Sequence, residues 1–443
     1  MEKNQTPINA DIVHRRFEAS GLKSVGKASI RELKKLVDLI EADSGVKFVR
    51  MEMGIPGLPP LEVGVEAQIQ ALREGVAAIY PDIQGIPEAK RELARFAKLF
   101  LNLEVSPEHC IPTVGSAMGG MAAFLTVNRM WADREGTLFL DPGFPVQKQQ
   151  CKLLGHGYRT FDMYEYRGPK LREKVESYLR TGKVSSILYS NPNNPSWICL
   201  TEEELRTIGE LATQYNVVVI EDLAYFAMDF RTDYGKPGQP PYQPTVAHYT
   251  DNYLLLVSSS KAFSYAGERI GAMLVSDKVW NMRSPDLLRY FSSDQLGYAI
   301  LFGAIYSLSS GTSHSAQRAL AAMLKAANEG RVDFVAGVRE YGEKARIMKK
   351  MFTDNGFKIV YDKDLDQPVA DGFYFTFAYP GLSGGELLGE LLHYGISAIT
   401  LDITGSERTE GLRACTSLIS RGQFPDLEAR LKQFHKDHAG VKA

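Results

Sequence analysis

Little in this chain points toward a polymer, a membrane or a metal. Lys and Arg together number 51 against 53 Asp and Glu, a formal net charge of -2. There is no bulk basic field to draw nucleic acid or an anionic membrane surface. No apolar run approaches the ~20 residues a membrane-spanning helix needs. Cysteine is scarce: Cys110, Cys151, Cys199 and Cys415 are scattered and share no metal-ligand spacing. They read as free thiols in a reducing compartment rather than as disulfides. A cytoplasmic protein without a bound metal is the expectation. The eight histidines are equally dispersed, and His435 and His438, at helical spacing, are expected to face solvent. Met1–Gln5 leads into polar sequence without the apolar centre of a signal peptide.

What is present is an ordinary globular composition, 44% hydrophobic and 23% charged over 443 residues, enough for a sizeable core and more than one folding unit. Residues 1–26 read as a polar lead-in. Ser29-Ile30-Arg31-Glu32 is a capping box, followed by Leu33, Leu36, Val37 and Ile40 at helical spacing. Gly54 to Pro60 breaks any helix and reads as an ordered loop. The middle of the chain alternates short apolar runs with helical patterns. The runs are Thr137–Leu140, Ser186–Tyr189, Val217–Ile220, Tyr253–Val257 and Ile270–Val275, and Thr201-Glu202-Glu203-Glu204 caps a helix running toward Tyr215. This rhythm predicts an α/β fold with a mostly parallel sheet flanked by helices. Beyond about residue 310 a long helical stretch over roughly 314–355 precedes short strands near Phe373–Phe377 and Leu412–Cys415, with helices around 384–394 and 425–437. The second part predicts a smaller α+β domain. The division expected is an N-terminal segment 1–60 packing with the small domain, a large domain 61–310, and a long helix with the small domain over 311–443.

Open α/β sheets bind ligands beyond the carboxyl ends of their strands, so the polar residues after each apolar run are the first candidates. Gly115-Ser116-Ala117-Met118-Gly119-Gly120 opens a helix, and its small residues let backbone N–H groups approach an anion. A tight helix start with close packing explains the same residues. The glycine spacing is not the dinucleotide fingerprint, which speaks against a nicotinamide oxidoreductase. Asn191-Pro192-Asn193-Asn194-Pro195 follows a strand and also suits a plain turn. Asp222, in Glu221-Asp222-Leu223-Ala224-Tyr225, is open to three roles: a helix cap, a metal ligand or a partner for a cationic heteroatom. Ser258-Ser259-Ser260-Lys261 places a lysine just after a strand, where partial desolvation makes an amine a usable nucleophile. The serines and Arg269 nearby suit a phosphate. Arg413, within Leu412-Arg413-Ala414-Cys415, needs an anionic partner from the protein or from a ligand.

Taken together and in order, these segments resemble the fold-type I aminotransferases of the aspartate aminotransferase superfamily (class I/II), over nearly the whole chain from about Met53. The resemblance implies pyridoxal phosphate as cofactor, with Lys261 forming the Schiff base and shuttling the substrate proton. It implies that Asp222 pairs with the protonated pyridine nitrogen and that Tyr225 and Asn194 bond the ring oxygen. Ser258, Ser260, Arg269 and the Gly115-Ser116-Ala117 backbone would hold the phosphate. Phe144, in Asp141-Pro142-Gly143-Phe144-Pro145, would stack on the ring. Tyr80 is similar to the tyrosine that reaches the phosphate from a neighbouring subunit, which implies a homodimer with active sites at the interface. Arg413 resembles the arginine that grips the substrate α-carboxylate, and Gly54 lies where the N-terminal loop meets substrate. The implied reaction moves an amino group from an amino acid to a 2-oxo acid by a ping-pong mechanism.

One departure stands out. Where the family usually reads Asn-Pro-Thr-Gly, this chain reads Asn194-Pro195-Ser196-Trp197, so Trp197 replaces a small residue near the substrate. That keeps open a β-eliminating lyase or related synthase on the same fold. A non-catalytic pyridoxal-phosphate-binding regulator is a further alternative, although such regulators add a DNA-binding domain for which the first ~50 residues leave little room. Arg289 lies near where some members place an arginine for a dicarboxylate side chain; a solvated helix arginine is the simpler account.

Overall fold

The computed structural model describes residues 6–439, and the expectation for Met1–Gln5 lies outside them. The chain separates into two compact units. One holds Leu58–Asn193 and Cys199–Val338; the other holds residues up to Gly57, Asn194–Ile198 and the chain from Arg339 onward. The helix His314–Asn328 packs on the helices Glu62–Arg73 and Pro87–Leu101 of the first unit, which runs on to Val338. No helix among the described residues is long and apolar enough to cross a membrane.

The larger unit is built on a seven-stranded sheet in the order Cys110–Thr113, Gly271–Val275, Tyr253–Ser258, Val218–Leu223, Val184–Ser190, Gly136–Asp141, Gly157–Asp162. Only Gly271–Val275 runs antiparallel to its neighbours. All but the edge strand Gly157–Asp162 are almost wholly buried, which is why the inner strands read as continuous apolar runs and not as alternations. Helices Gly115–Val127, Pro145–Leu153, Lys170–Leu179 and Glu202–Gln214 alternate with the strands as expected. The Thr201 capping box forms, and its Glu204 does a second job. Glu204 takes a two-pronged ion pair from Arg167 (Nε–Oε1 2.6 Å, Nη2–Oε2 2.8 Å) and a bond from the Gly168 N–H at 2.7 Å. Burial pushes the Glu204 carboxyl up, but the Arg167 guanidinium outweighs it and holds the group below the usual carboxylate range.

The smaller unit has its own core. A four-stranded antiparallel sheet, ordered Ile399–Thr400, Leu412–Cys415, Tyr374–Ala378, Lys358–Ile359, buries Phe375, Phe377, Leu412 and Ala414 against Leu36, Val37, Ile40, Leu388 and Phe434. The Ser29 capping box opens Ile30–Ser44 as read from the sequence.

Three expectations are corrected. Residues 1–26 are not merely a polar lead-in: Ala10–Ser20 is a helix with Asn9 as its cap, and Ile8 and Val13 enter the small-unit core. The helical stretch 314–355 is three helices, His314–Asn328, Phe334–Val338 and Glu340–Asp354, interrupted where Gly330 turns the backbone left-handed at φ +67°. His438 is buried, stacked 4.1 Å from the Phe434 ring with Nδ1 on the Phe434 carbonyl, and His435 bonds the Tyr379 hydroxyl at 2.8 Å. Their helix enters the small-unit core through Leu427, Leu431 and Phe434, and His438 continues that buried stripe.

Removing one member of a buried ion pair strands the other. Glu204→Ala is expected to lower stability by about 3–5 kcal/mol, read from the midpoint of guanidinium unfolding. A loss below about 1 kcal/mol would show that Arg167 finds water or another acceptor.

Candidate functional site

The parallel strands carry their polar ends to one edge of the large sheet. Asp141, Ser190, Asp222 and Ser258 all lie at that edge, and Gly115 follows the end of Cys110–Thr113. The antiparallel strand brings its amino end there instead. Gly271 pairs with Thr113 on one side and with Ser258 on the other, so Arg269, two residues earlier, arrives beside Gly115. Backbones approach closely at this point. A Cβ on Gly271 would lie 2.7 Å from the Val257 carbonyl and 2.9 Å from the Ser116 nitrogen. A Cβ on Gly115, whose φ is +67°, would lie 2.8 Å from Arg269 Nη2. Ser116 and Ala117 begin the helix Gly115–Val127, whose first N–H groups are free for an acceptor.

Lys261 is half-buried in the short helix Ser259–Ala262, which starts where Ser258 Oγ accepts the Ser260 N–H at 3.1 Å. This helix is pinned from both sides. Ser259 Oγ donates to the Ile270 carbonyl at 2.6 Å, and the Phe263 carbonyl accepts from Leu61 N at 3.2 Å. The Phe263 ring packs against Phe96 and Phe334, centroids 6.4 and 5.1 Å away. The lysine therefore stands on a fixed base.

Asp222 is buried with a defined set of partners. Oδ2 accepts from Gln147 Nε2 at 2.8 Å, and Oδ1 from the Ala224 N–H at 3.1 Å. Among the described residues no cation pairs with it, and burial raises it to about 6. Tyr225 follows in the next turn, also buried. Phe144 is half-buried at the start of the helix Pro145–Leu153, and Gln147 lies one turn on. Asn193 Nδ2 holds the Pro142 carbonyl at 2.8 Å and so fixes the loop that carries Phe144. On the other face of the same strand, Glu221 accepts from Thr245 Oγ1 at 2.5 Å and from Val246 N at 3.2 Å, and burial raises it to about 7.

Tyr80 is apart from this group. It is 90% exposed and borders a surface depression of about 430 Å³ with Arg91, His314 and Arg318. Arg289 is a solvated helix arginine, its side chain 62% exposed and paired to Asp286 at 3.2 Å.

Gly54, Asn194, Trp197 and Arg413 belong to the smaller unit. Arg413 sits on the strand Leu412–Cys415 opposite Thr376, on the same face as Tyr374. It is 1% exposed, its Nη2 donates to the Glu52 carbonyl at 2.7 Å, and its Cζ lies 4.4 Å over the Tyr374 ring. No protein carboxylate pairs with it among the described residues. Of the two sources of an anion left open for Arg413, the described residues supply none. Gln147 and Tyr374 were not singled out from the sequence. Gln147 is one polar residue in a polar helix, and Tyr374 one aromatic in an aromatic strand; only the fold puts each beside a charged group.

A family model described as aminotransferase class I and II matches residues 46–364. A probable aspartate aminotransferase of Methanocaldococcus jannaschii is 26% identical over 262 residues, 59% of this chain and 64% of that protein. An LL-diaminopimelate aminotransferase of Natranaerobius thermophilus is 24% identical over 250 residues, 56% of this chain and 62% of that one. The matched stretches thus span just under two thirds of those relatives. Among solved structures, an alanine aminotransferase from Pyrococcus furiosus superposes with a TM-score of 0.76 at 19% identity, covering 93% of this chain and 98% of that one. That likeness shows the fold.

The Asp222 carboxyl has a consequence for stability. Its folded value, about 6, lies above the ordinary 3.8. Its contribution is full below pH 3.8 and is lost as pH rises through about 6. In the chain without bound ligands, Asp222→Asn is expected to flatten the fall in stability between pH 4 and 7 by about 2–3 kcal/mol, measured by urea unfolding at each pH. Parallel curves for the two proteins would mean that Asp222 burial has no such effect.

Proposed function

The chain belongs to the aminotransferase class I and II family, and from that premise we propose that it is a pyridoxal-phosphate-dependent aminotransferase acting on amino acids and 2-oxo acids. The observation that carries this reading is Asp222: a buried carboxylate with no cation beside it among the described residues, on the sheet edge that also bears Lys261 and Arg269. A protonated pyridine nitrogen would supply the missing cation. The narrow backbone cradle at Gly115 and Gly271, with Arg269 against it, fits a phosphate.

The cofactor, when bound, supplies an electron sink for the charge that develops at the substrate Cα. The chain's residues do the rest. Lys261 would hold the cofactor through Nζ, and the same amine would serve as the general base and acid that takes and returns the Cα proton. Its pinned helix limits how far Nζ can stray. Asp222, steadied by Gln147, keeps the ring nitrogen cationic. Tyr225 and Asn194 bond the ring oxygen, and Phe144 covers the ring. Ser258, Ser260, Arg269 and the Gly115-Ser116-Ala117 backbone hold the phosphate. Arg413 binds the substrate α-carboxylate as a fork, with Gly54 and Trp197 nearby.

We assign a homodimer in which Tyr80 reaches the phosphate of the other subunit. Its full exposure supports this, as does the run of exposed Tyr298, Phe302 and Tyr306 at four-residue spacing, an apolar surface that an isolated chain rarely leaves in water. A cytoplasmic enzyme of amino-acid metabolism is part of the same proposal; among the described residues the four cysteines form no disulfide. Donor identity stays at the class level: the relatives are named for aspartate, LL-diaminopimelate and alanine, which share only the α-amino carboxylate that Arg413 would bind.

Lys261→Ala tests the reading. Transfer of amino groups from a panel of amino acids to 2-oxoglutarate is expected to fall about 10³-fold or more, with loss of the visible absorbance of the bound cofactor. A variant that keeps both refutes it, and release of ammonia and pyruvate by the parent protein would reassign it to elimination.

A further inference from the structure

Trp197 holds a backbone conformation that an indole makes costly. Its φ is +64°, in the left-handed region where glycine alone is free of penalty. The side chain is nonetheless wholly buried, the largest such in the chain, and the structure makes room for it. A Cβ on Gly372 would fall 2.0 Å from both Cε2 and Nε1 of the indole. Strain of this kind survives only where the surroundings hold it in place.

What the indole touches gives the reason. Its ring meets Tyr374 edge to face, centroids 6.1 Å apart at 70°, an arrangement aromatic pairs favour. The Tyr374 hydroxyl packs on Gly54 so tightly that a Cβ there would lie 2.1 Å away. The Tyr374 ring is thus held by the indole and by the Gly54 backbone, and its face lies 4.4 Å below the Arg413 guanidinium. Among the described residues Arg413 itself has one hydrogen-bonded anchor, from Nη2 to the Glu52 carbonyl, and its buried Nε has no partner. One hydrogen bond fixes a point of the guanidinium and leaves its plane free to turn. Stacking on Tyr374 fixes the plane. Two-pronged binding of a carboxylate depends on that plane.

We infer that Trp197 is a positioning residue for carboxylate recognition: it orients Arg413 through Tyr374 and so ties this enzyme to donors that carry an α-carboxylate. The inference rests on the reading of Arg413 given above. It also gives the family departure at position 197 a role in the smaller unit that does not require the indole to touch substrate.

The experiment compares matched donors in the half-reaction of the holoenzyme, followed by cofactor absorbance: L-alanine, L-aspartate and L-glutamate against ethylamine, β-alanine and 4-aminobutyrate, the same molecules without the α-carboxylate. Trp197→Gly is expected to lower kcat/KM for the amino acids about tenfold, chiefly through KM, and to shrink the amino acid to amine ratio by a similar factor. Trp197→Phe, which keeps an aromatic edge, should recover most of it. Tyr374→Leu should reproduce the loss, and the Trp197→Gly/Tyr374→Leu double variant should lose little beyond Tyr374→Leu alone. Should Trp197→Gly fail to fold, the contrast of Trp197→Phe with Tyr374→Leu decides the same question. An unchanged ratio, an equal loss for amines and amino acids, or losses that multiply in the double variant would each overturn the inference. A parent protein that transaminates no donor strikes the proposed function itself, whereas an active parent with an unmoved ratio in the variants strikes only the role of Trp197.

Discussion

The close approach of three backbones at Gly271 is the contact on which the polar edge of the large sheet depends. Gly271 lies between Thr113 and Ser258 in the ladder, with the Ser116 nitrogen 2.9 Å from where its Cβ would be. Any side chain there would push the start of the helix Gly115–Val127 away from the strand Tyr253–Ser258. Arg269 and Gly115 would then part, and the Ser258–Lys261 turn would lose its neighbour. The antiparallel insertion of Gly271–Val275 is what delivers an arginine to an edge otherwise made of strand ends. A purely parallel arrangement would have brought a carboxyl end there, and the amino end with Arg269 would lie on the far side.

Around that edge the chain accepts several unfavourable burials. Asp141, Asp222 and Glu221 are all buried and held above the usual carboxylate range. Asp141 has Lys148 at 2.6 Å and Glu221 has Thr245, but Asp222 has only an amide and a backbone N–H. Neighbours in sequence, Asp222 and Glu221 differ because strand alternation sends them to opposite faces, Glu221 to a protein hydroxyl and Asp222 to the Gln147 amide. An ion that the protein does not itself neutralise is strong physical grounds for a bound cation.

Much of this was legible in the sequence, for a reason that also marks the limit. Runs such as Val217–Ile220 and Tyr253–Val257 are buried on both faces, so they stand out as unbroken apolar stretches, and the polar residues that end them fall at one edge by topology alone. The capping boxes at Ser29 and Thr201 are local and were equally readable. What escaped depends on contacts between distant segments. The helix Ala10–Ser20 has a thin apolar stripe that gains meaning only against the small-unit core. His438 is buried because Phe434 and Tyr394 stack around it. Gln147 and Tyr374 look like any other residues of their elements until Asp222 and Arg413 are placed beside them.

The fit of Trp197 against Gly372 also constrains how this sequence could have arisen. With the indole present, even one methyl group at position 372 collides with it. With a small residue at 197, a side chain at 372 meets no such barrier. The indole at 197 and the bare backbone at 372 are thus two halves of one fit, and in this chain neither position can be altered without regard to the other.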